Sequence, residues 1–140
     1  LNSELTISMK RVTGLGGIFF KAKDNKKMYE WYKNHLGIQS ESWGGQFKWK
    51  DPETEKLSYT AWSIFKDDTE YMNPSRKEVM INYRVDNLEQ LFAVLEEEGV
   101  TIIGEPQISE YGKFGWIMDP EGNKIELWEP PTDESKHITL

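Results

Sequence analysis

The chain has no cysteine and only two histidines in 140 residues. Without cysteine it can form no disulfide, thiolate nucleophile or Cys-ligated metal site. The two histidines do not make up the loss. His35 is read near the C-terminal end of a helix, where a cation meets the helix dipole favourably. His137 is read in the tail, and neither sits in a group with metal-ligand spacing. Basic charge is also scarce: 17 Lys and Arg against 24 Asp and Glu leave a net charge of -7. That argues against nucleic acid as a partner, since such binding rests on neutralising phosphate. No apolar run approaches the roughly 20 residues of a membrane span. Leu1 to Lys10 lacks the apolar core of a signal segment. The composition fits a cytoplasmic protein with no membrane partner.

What the chain does have is aromatic area, 13% of residues with six Trp, enough to build one core at this length. Its most organised stretch is Asp119 to Glu129. Asp-Pro followed by Gly-Asn is turn chemistry, because Pro presets φ while Gly and Asn accept positive φ. Lys113 to Met118 precedes the turn. After it, Lys124, Glu126 and Trp128 alternate with Ile125 and Leu127, the period of a strand. A second copy of the turn, Asp51 to Leu57, aligns on Asp119 to Ile125 at an offset of 68. Asp24 aligns on Asn87 at 63, and Gly37-Ile38 on Gly99-Val100 at 62. Three landmarks in one order make the chain an internal repeat.

Taken in order, residues 1–11 read as a terminal arm. Leu15 to Ala22 is a strand with Gly17, Phe19 and Lys21 on one face. Asp24 or Asn25 caps a helix whose apolar stripe is Met28, Trp31, Tyr32 and Leu36, and Gly37 ends it. Ile38–Trp43, Gln46–Lys50 and Leu57–Phe65 read as three strands. Residues 67–78 are a polar connector. Val79–Asp86 is a strand with Met80, Asn82 and Arg84 on one face. Leu88, Leu91, Phe92 and Leu95 give the next helix its stripe, and strands over Val100–Ile108, Lys113–Met118 and Asn123–Glu129 complete the unit. Residues 131–140 read as a loose arm.

The pattern is α+β: two βαβββ modules, about 12–66 and 79–130, forming a curved mixed sheet around a concave pocket with the helices outside. The concave face is expected to carry Phe19, Lys21, Met80, Asn82, Arg84, Lys124, Glu126 and Trp128. The offset of 68 adds Ser58, Thr60 and Trp62 from the first hairpin. A face that mixes aromatics with a few polar groups suits a pocket; an ordinary wet sheet face or a dimer seam has the same composition. Trp43, Trp49 and Trp116 read as core or interface, and Tyr111 as a residue at the pocket's mouth.

From Ile18 to Gly37, then Val85-Asp86-Asn87-Leu88, Glu98-Gly99-Val100 and Asp119 to Leu127, the chain resembles the vicinal oxygen chelate superfamily. This is the glyoxalase, bleomycin-resistance and extradiol-dioxygenase group. The resemblance covers residues 12–130. It implies a U-shaped sheet around a ligand cavity, commonly in a homodimer. It also implies metal ligands at the start of each first strand and on each last strand. Those positions here are Gly17, Met80, Ser58 and Glu126, of which Glu126 alone is a good oxygen donor.

The expectation is therefore a small-molecule binding protein of the bleomycin-resistance type without metal or other cofactor, holding a small organic ligand. The alternatives are a glyoxalase-type lyase or isomerase with Glu126 as base or metal ligand, and a module whose concavity another chain fills.

Overall fold

In the computed structural model, which describes residues 10–139, β1 (Val12–Ala22) leads through α1 (Asn25–Leu36) to β2 (Gly45–Lys50) and β3 (Leu57–Lys66). The second half runs β4 (Val79–Val85), α2 (Leu88–Glu97), β5 (Thr101–Ser109), β6 (Gly112–Met118) and β7 (Lys124–Glu129). A 3-10 turn follows at Ser135–His137. Most of the expected N-terminal arm, residues 1–9, lies outside the described residues.

The repeat is visible in the register. Seven strands form one mixed sheet in the order β2-β3-β1-β4-β7-β6-β5. Within each module the first and last strands pair in parallel, Phe19 with Ser63 and Asn82 with Glu126, a spacing of 44 residues in both. The antiparallel β1–β4 pair joins the modules. Both helices start the same way: Asp24 and Asn87 accept from the Lys27 and Gln90 amides, each at 3.0 Å, as N-caps do. Both Asp-Pro turns close alike. Asp51 accepts from Glu53 and Thr54 amides at 2.8 and 3.1 Å, and Asp119 from Glu121 and Asn123 amides at 2.9 Å each. These backbone bonds hold both carboxyls below the usual range.

Two expectations fail locally. Ile38–Trp43 is not a strand; it is a loop with one bridge, Glu41 to Gly44. Gly37 ends α1 in the left-handed region at φ 69, and the polar residues Gln39 to Ser42 give an added edge strand nothing apolar to bury. The sheet therefore lacks, in module one, the outer strand that β5 supplies in module two. The α1 stripe is also rotated from the expected one. Tyr29 and Tyr32 face the sheet against Trp62, while Trp31 and Leu36 are exposed.

The core sits between α2 and the sheet. Leu88, Leu91, Phe92 and Leu95 pack on Val85 and Leu127, with Ile117 and Ile125 beside them. Burying each such side chain stabilises by roughly 1.5–3 kcal/mol. Since Ile125 and Leu127 face α2, strand alternation turns Lys124, Glu126 and Trp128 to the opposite, concave face.

Candidate functional site

The concave face holds a half-open cavity of about 570 Å³. Its floor is sheet: Gly16 and Phe19 of β1, Asn82 of β4 and Glu126 of β7. Tyr59, Ala61, Phe114 and Trp128 form aromatic and apolar walls. Trp128 stacks on Phe114 with rings 6.0 Å apart and 9° from parallel, and leans on Tyr59 at 5.4 Å. Trp43 and Tyr111 reach the rim.

The roof is the C-terminal segment, which the sequence led us to expect as a loose arm. It is instead a strap across the concavity. On one side the Gln46 amide brackets it, donating to the His137 carbonyl at 2.6 Å and accepting from the Thr139 amide at 2.7 Å. On the other side His137 donates through Nε2 to the Glu110 carbonyl at 3.1 Å, its ring 4.7 Å from Tyr111. Between these anchors Ile138 is buried against Tyr59 and Trp128. Lys136, His137 and Thr139 thereby line the cavity. The signal in the sequence was short: Ile138 is the one large apolar side chain among Asp133 to Thr139, and an isolated apolar residue in a polar tail does not reveal its partner.

Glu126, 2% exposed, is the chemical centre of the floor. Asn82 Nδ2 donates to its Oε1 at 2.6 Å. Trp116 Nε1 donates to Oε2 at 2.8 Å, and the Tyr71 hydroxyl donates to the same oxygen. Tyr71 comes from the connector, which the sequence presented only as a polar link. The residue is 43% exposed, yet its hydroxyl turns inward to a buried acceptor. Burial, then the negative charge of Glu126, pushes the Tyr71 hydroxyl far above the ordinary tyrosine range. Lys124 lies beside this group, donating to the Tyr71 carbonyl at 2.6 Å and standing 5.4 and 5.6 Å from the Tyr71 and Trp116 ring centres. Burial pulls its ammonium below the ordinary value, against the pull of Glu126.

Arg84 is buried but already occupied. It pairs with Glu134 of the strap at 2.5 and 2.7 Å, donates to the Tyr59 carbonyl at 3.1 Å, and sits 4.8 Å from the Trp128 ring centre. Burial raises the neighbouring Tyr59 hydroxyl to about 12, with Glu134 adding to the shift.

Of the side chains expected on the concave face, Phe19, Asn82, Glu126 and Trp128 line the cavity. Lys21, Met80, Arg84 and Lys124 share the face by strand alternation without lining it. Ser58, Thr60 and Trp62 are on the other face. Trp62 packs on Phe20, Tyr29 and Tyr32 under α1. Thr60 donates to the Leu15 carbonyl at 2.6 Å and accepts from the Trp49 indole at 2.9 Å. Ser58 follows them by alternation and is buried. The reason is parity. The hairpin turns align at 68, but the helix caps align at 63. The difference is odd, and an odd shift turns every strand side chain over. By the observed pairing the counterpart of Glu126 is Ser63, not Ser58.

The divalent-metal site that the resemblance implies does not fit these residues. Of the implied positions, Gly17 has no side chain, Met80 is a fully buried thioether and Ser58 is on the other face, which leaves Glu126; by the observed pairing, Phe19 and Ser63 stand where module two has Asn82 and Glu126. Phe19 has no donor atom, and the Ser63 hydroxyl is spent on the Trp43 carbonyl at 2.7 Å. Asn82 turns a hydrogen-bearing nitrogen, not an oxygen, onto Glu126. Among the described residues no group of three His, Cys, Asp or Glu is placed to hold an ion. Three hydrogen-bond donors occupy the carboxylate that would be the main ligand.

Neither a protein-family profile nor a curated protein sequence matches the chain. Solved structures do match in fold. The methylmalonyl-CoA epimerase from Mycobacterium tuberculosis is 20% identical, over 87% of this chain and 91% of that one, with a TM-score of 0.56. A Streptomyces coelicolor methylmalonyl-CoA epimerase variant in complex with 2-nitronate-propionyl-CoA is 16% identical over 86% of this chain and 99% of that one, at 0.62. A structure described as the NAD-dependent benzaldehyde dehydrogenase from Legionella pneumophila is 18% identical over 82% and 98%, at 0.56. At such identities the likeness establishes the shared fold, an α+β architecture of paired modules on a curved mixed sheet.

Proposed function

We propose that this protein binds a small, largely planar organic molecule in the strapped cavity, without a catalytic metal. The observation that carries the reading is a half-open, aromatic-walled space of about 570 Å³ with a few polar atoms converging on its floor. That is the usual make-up of a small-molecule site. Trp128 and Phe114 offer stacking surface.

Glu126 supports binding better than acid–base chemistry. A general base must be free to take a proton. Here three donors already occupy its two oxygens, one on Oε1 and two on Oε2. Tyr71, with its proton held more tightly than an ordinary tyrosine's, is a poor acid to return one.

The test is a thermal-shift screen of planar aromatic amines, amides and heterocycles, followed by calorimetric titration of the hits. Trp128→Ala is expected to weaken binding by about 1 kcal/mol or more, the loss of one aromatic anchor. Hits whose affinity ignores Trp128→Ala place the site elsewhere. Metal content is measured on protein purified without added metal, and one Ni, Zn, Fe or Mn per chain that is lost in Glu126→Ala would defeat the metal-free reading.

The second reading is an isomerase. Its support is the presence of buried Glu126 in the cavity on a fold shared with structures described as methylmalonyl-CoA epimerases. Incubation with methylmalonyl-CoA in deuterium oxide decides it. Deuterium appearing at the substrate's α-carbon faster than in buffer, and not with Glu126→Gln, establishes that reading over the first.

A further inference from the structure

Arg84 is a buried cation whose counter-charge comes from the strap. Its side chain is 5% exposed. Trp49, Tyr59 and Trp128 place ring centres 5.4, 5.9 and 4.8 Å from its guanidinium carbon. Among the described residues its one carboxylate hydrogen-bond partner is Glu134. Asp51 feels the Arg84 charge without bonding to it. Both Glu134 oxygens sit on a single nitrogen, Nη2, at 2.7 and 2.5 Å. A carboxylate forked across two guanidinium nitrogens is the stronger and more specific arrangement, and Glu134 does not reach it.

The strap is tied down through side chains. Among the described residues no backbone–backbone hydrogen bond joins residues 131–139 to the sheet; His137 to Glu134 and Ile138 to Ser135 are internal. The strap lays a carboxylate on Arg84 and, four residues on, a branched alkyl group on Tyr59 and Trp128. Those are the two ends of a small amphipathic acid. Tyr59 and Trp128 also line the cavity, and a Cβ on Gly16, another lining residue, would stand 3.1 Å from Arg84 Cγ. The strap's seat and the cavity therefore share a wall. Along that wall Arg84 pairs with Trp128 and Asn82 with Glu126, so the buried carboxylate lies one step from the cation. Lys136 adds a positive charge to the lining. An acid lying here has its carboxylate at the Arg84 end.

We propose that the strap is a tethered occupant of a binding site for an aromatic carboxylate. The ligand's carboxylate takes the place of Glu134 on Arg84, its ring takes the place of Ile138 against Tyr59 and Trp128, and the strap swings out. This rests on the reading that the protein takes a small planar molecule, and names that molecule's charge and its competitor. A site free of its strap about one-tenth of the time shows an affinity about tenfold weaker than its intrinsic one.

The test compares 2-naphthoate with 2-naphthamide, which share shape and stacking surface and differ in charge. Affinities are read by protein-observed NMR titration of the full chain, unaltered and with Glu134→Gln, which keeps the strap's shape and removes the charge on Arg84. The expected result is 2-naphthoate about tenfold tighter in Glu134→Gln, with 2-naphthamide unchanged. Asp133→Asn is the control. It takes the same charge from the strap at an exposed residue bonded to Ser135 rather than Arg84, and is expected to leave 2-naphthoate affinity as it was. In the unaltered protein, bound 2-naphthoate is expected to speed amide exchange at Ile138 and Thr139, and this arm needs no variant to fold. Bound 2-naphthoate that leaves that exchange unchanged, gains nothing from Glu134→Gln, or gains as much from Asp133→Asn overturns the proposal and leaves the planar-ligand reading standing. Failure of 2-naphthoate to bind either protein at millimolar concentration also overturns it, and an empty screen beside that failure overturns the planar-ligand reading as well.

Discussion

Helix α2 sets Leu88, Leu91, Phe92, Val94 and Leu95 against its half of the sheet, none more than 8% exposed. Helix α1, the same element of the other module, buries no residue fully and covers its half with tyrosine rings against Trp62. The concave faces differ in the opposite sense. Module two puts buried Asn82, Arg84 and Glu126 there, while module one puts Gly16, Phe19, Tyr59 and Ala61. Both modules keep one pairing register. A repeat therefore conserves spacing and says little about what each copy carries. Module two holds most of the aliphatic core together with the polar centre of the site and the Trp128–Phe114 stack, and module one adds Gly16, Phe19, Tyr59 and Ala61 to the cavity lining.

The contrast predicts unequal responses to truncation. Leu91→Ala in α2 is expected to cost about 3 kcal/mol, within the usual range for a buried leucine. Leu36→Ala in α1, at a position 60% exposed, is expected to change stability by less than about 0.5 kcal/mol. Urea unfolding of both variants checks this, and similar midpoint shifts would remove the distinction between the helices. Next in size is the strap latch. Arg84 and Glu134 have side chains 5% and 17% exposed, and removing one partner of a buried pair strands the other's charge. Glu134→Ala is expected to cost about 2 kcal/mol, below the full penalty of a deeply buried pair because the strap can lift and let water reach Arg84. Amide exchange at Ile138 and Thr139 should rise in parallel. A variant with unchanged exchange there would mean that Gln46 and Ile138 hold the strap by themselves.

Much of this was legible in the sequence, and the failures have physical causes. The helix caps, both Asp-Pro turns, the α2 stripe and the face of Glu126 followed from period and turn chemistry, which are local. The face of β3 did not, because two offsets of different parity were both visible and the hairpin offset was carried onto the strand. Trp62 was expected beside Trp128 on the concave face; the structure keeps Trp128 there and puts Trp62 under α1. Trp128→Ala is expected to weaken ligand binding by about 1 kcal/mol or more, while Trp62→Ala lowers stability and leaves the affinity of the remaining folded protein near that of the unaltered chain. The strap and Tyr71 were missed for a different reason. Each acts across the chain, Gln46 on His137 and Tyr71 on Glu126, and nothing in a polar connector or tail announces a distant partner.

The smallest expected effect is a slope of stability with alkaline pH, and it separates the two halves once more. Tyr59, in module one, is raised to about 12 by burial. Tyr71, serving module two, is raised further by burial and by Glu126. Unfolded tyrosine titrates near 10. A folded value above the unfolded one means that the native state holds the proton more tightly. The stability this contributes is fully present below about pH 10 and is lost as pH rises from there toward the folded values. Lys124 has the opposite sign. Burial depresses its folded value, so the unfolded chain binds more protons from that value up to about 10.4, and stability gains slightly as pH rises through that range. The net expectation is a slight gain on approach to about pH 10 and a decline above it. Urea midpoints measured from pH 8 to 11.5 test it. Tyr71→Phe should flatten the decline more than Tyr59→Phe, because Tyr71 faces a carboxylate directly, whereas Tyr59 has Arg84 to offset Glu134. Equal flattening by the two substitutions, or a decline unchanged by Tyr71→Phe, would show that the Tyr71–Glu126 contact does not govern the protonation of this hydroxyl.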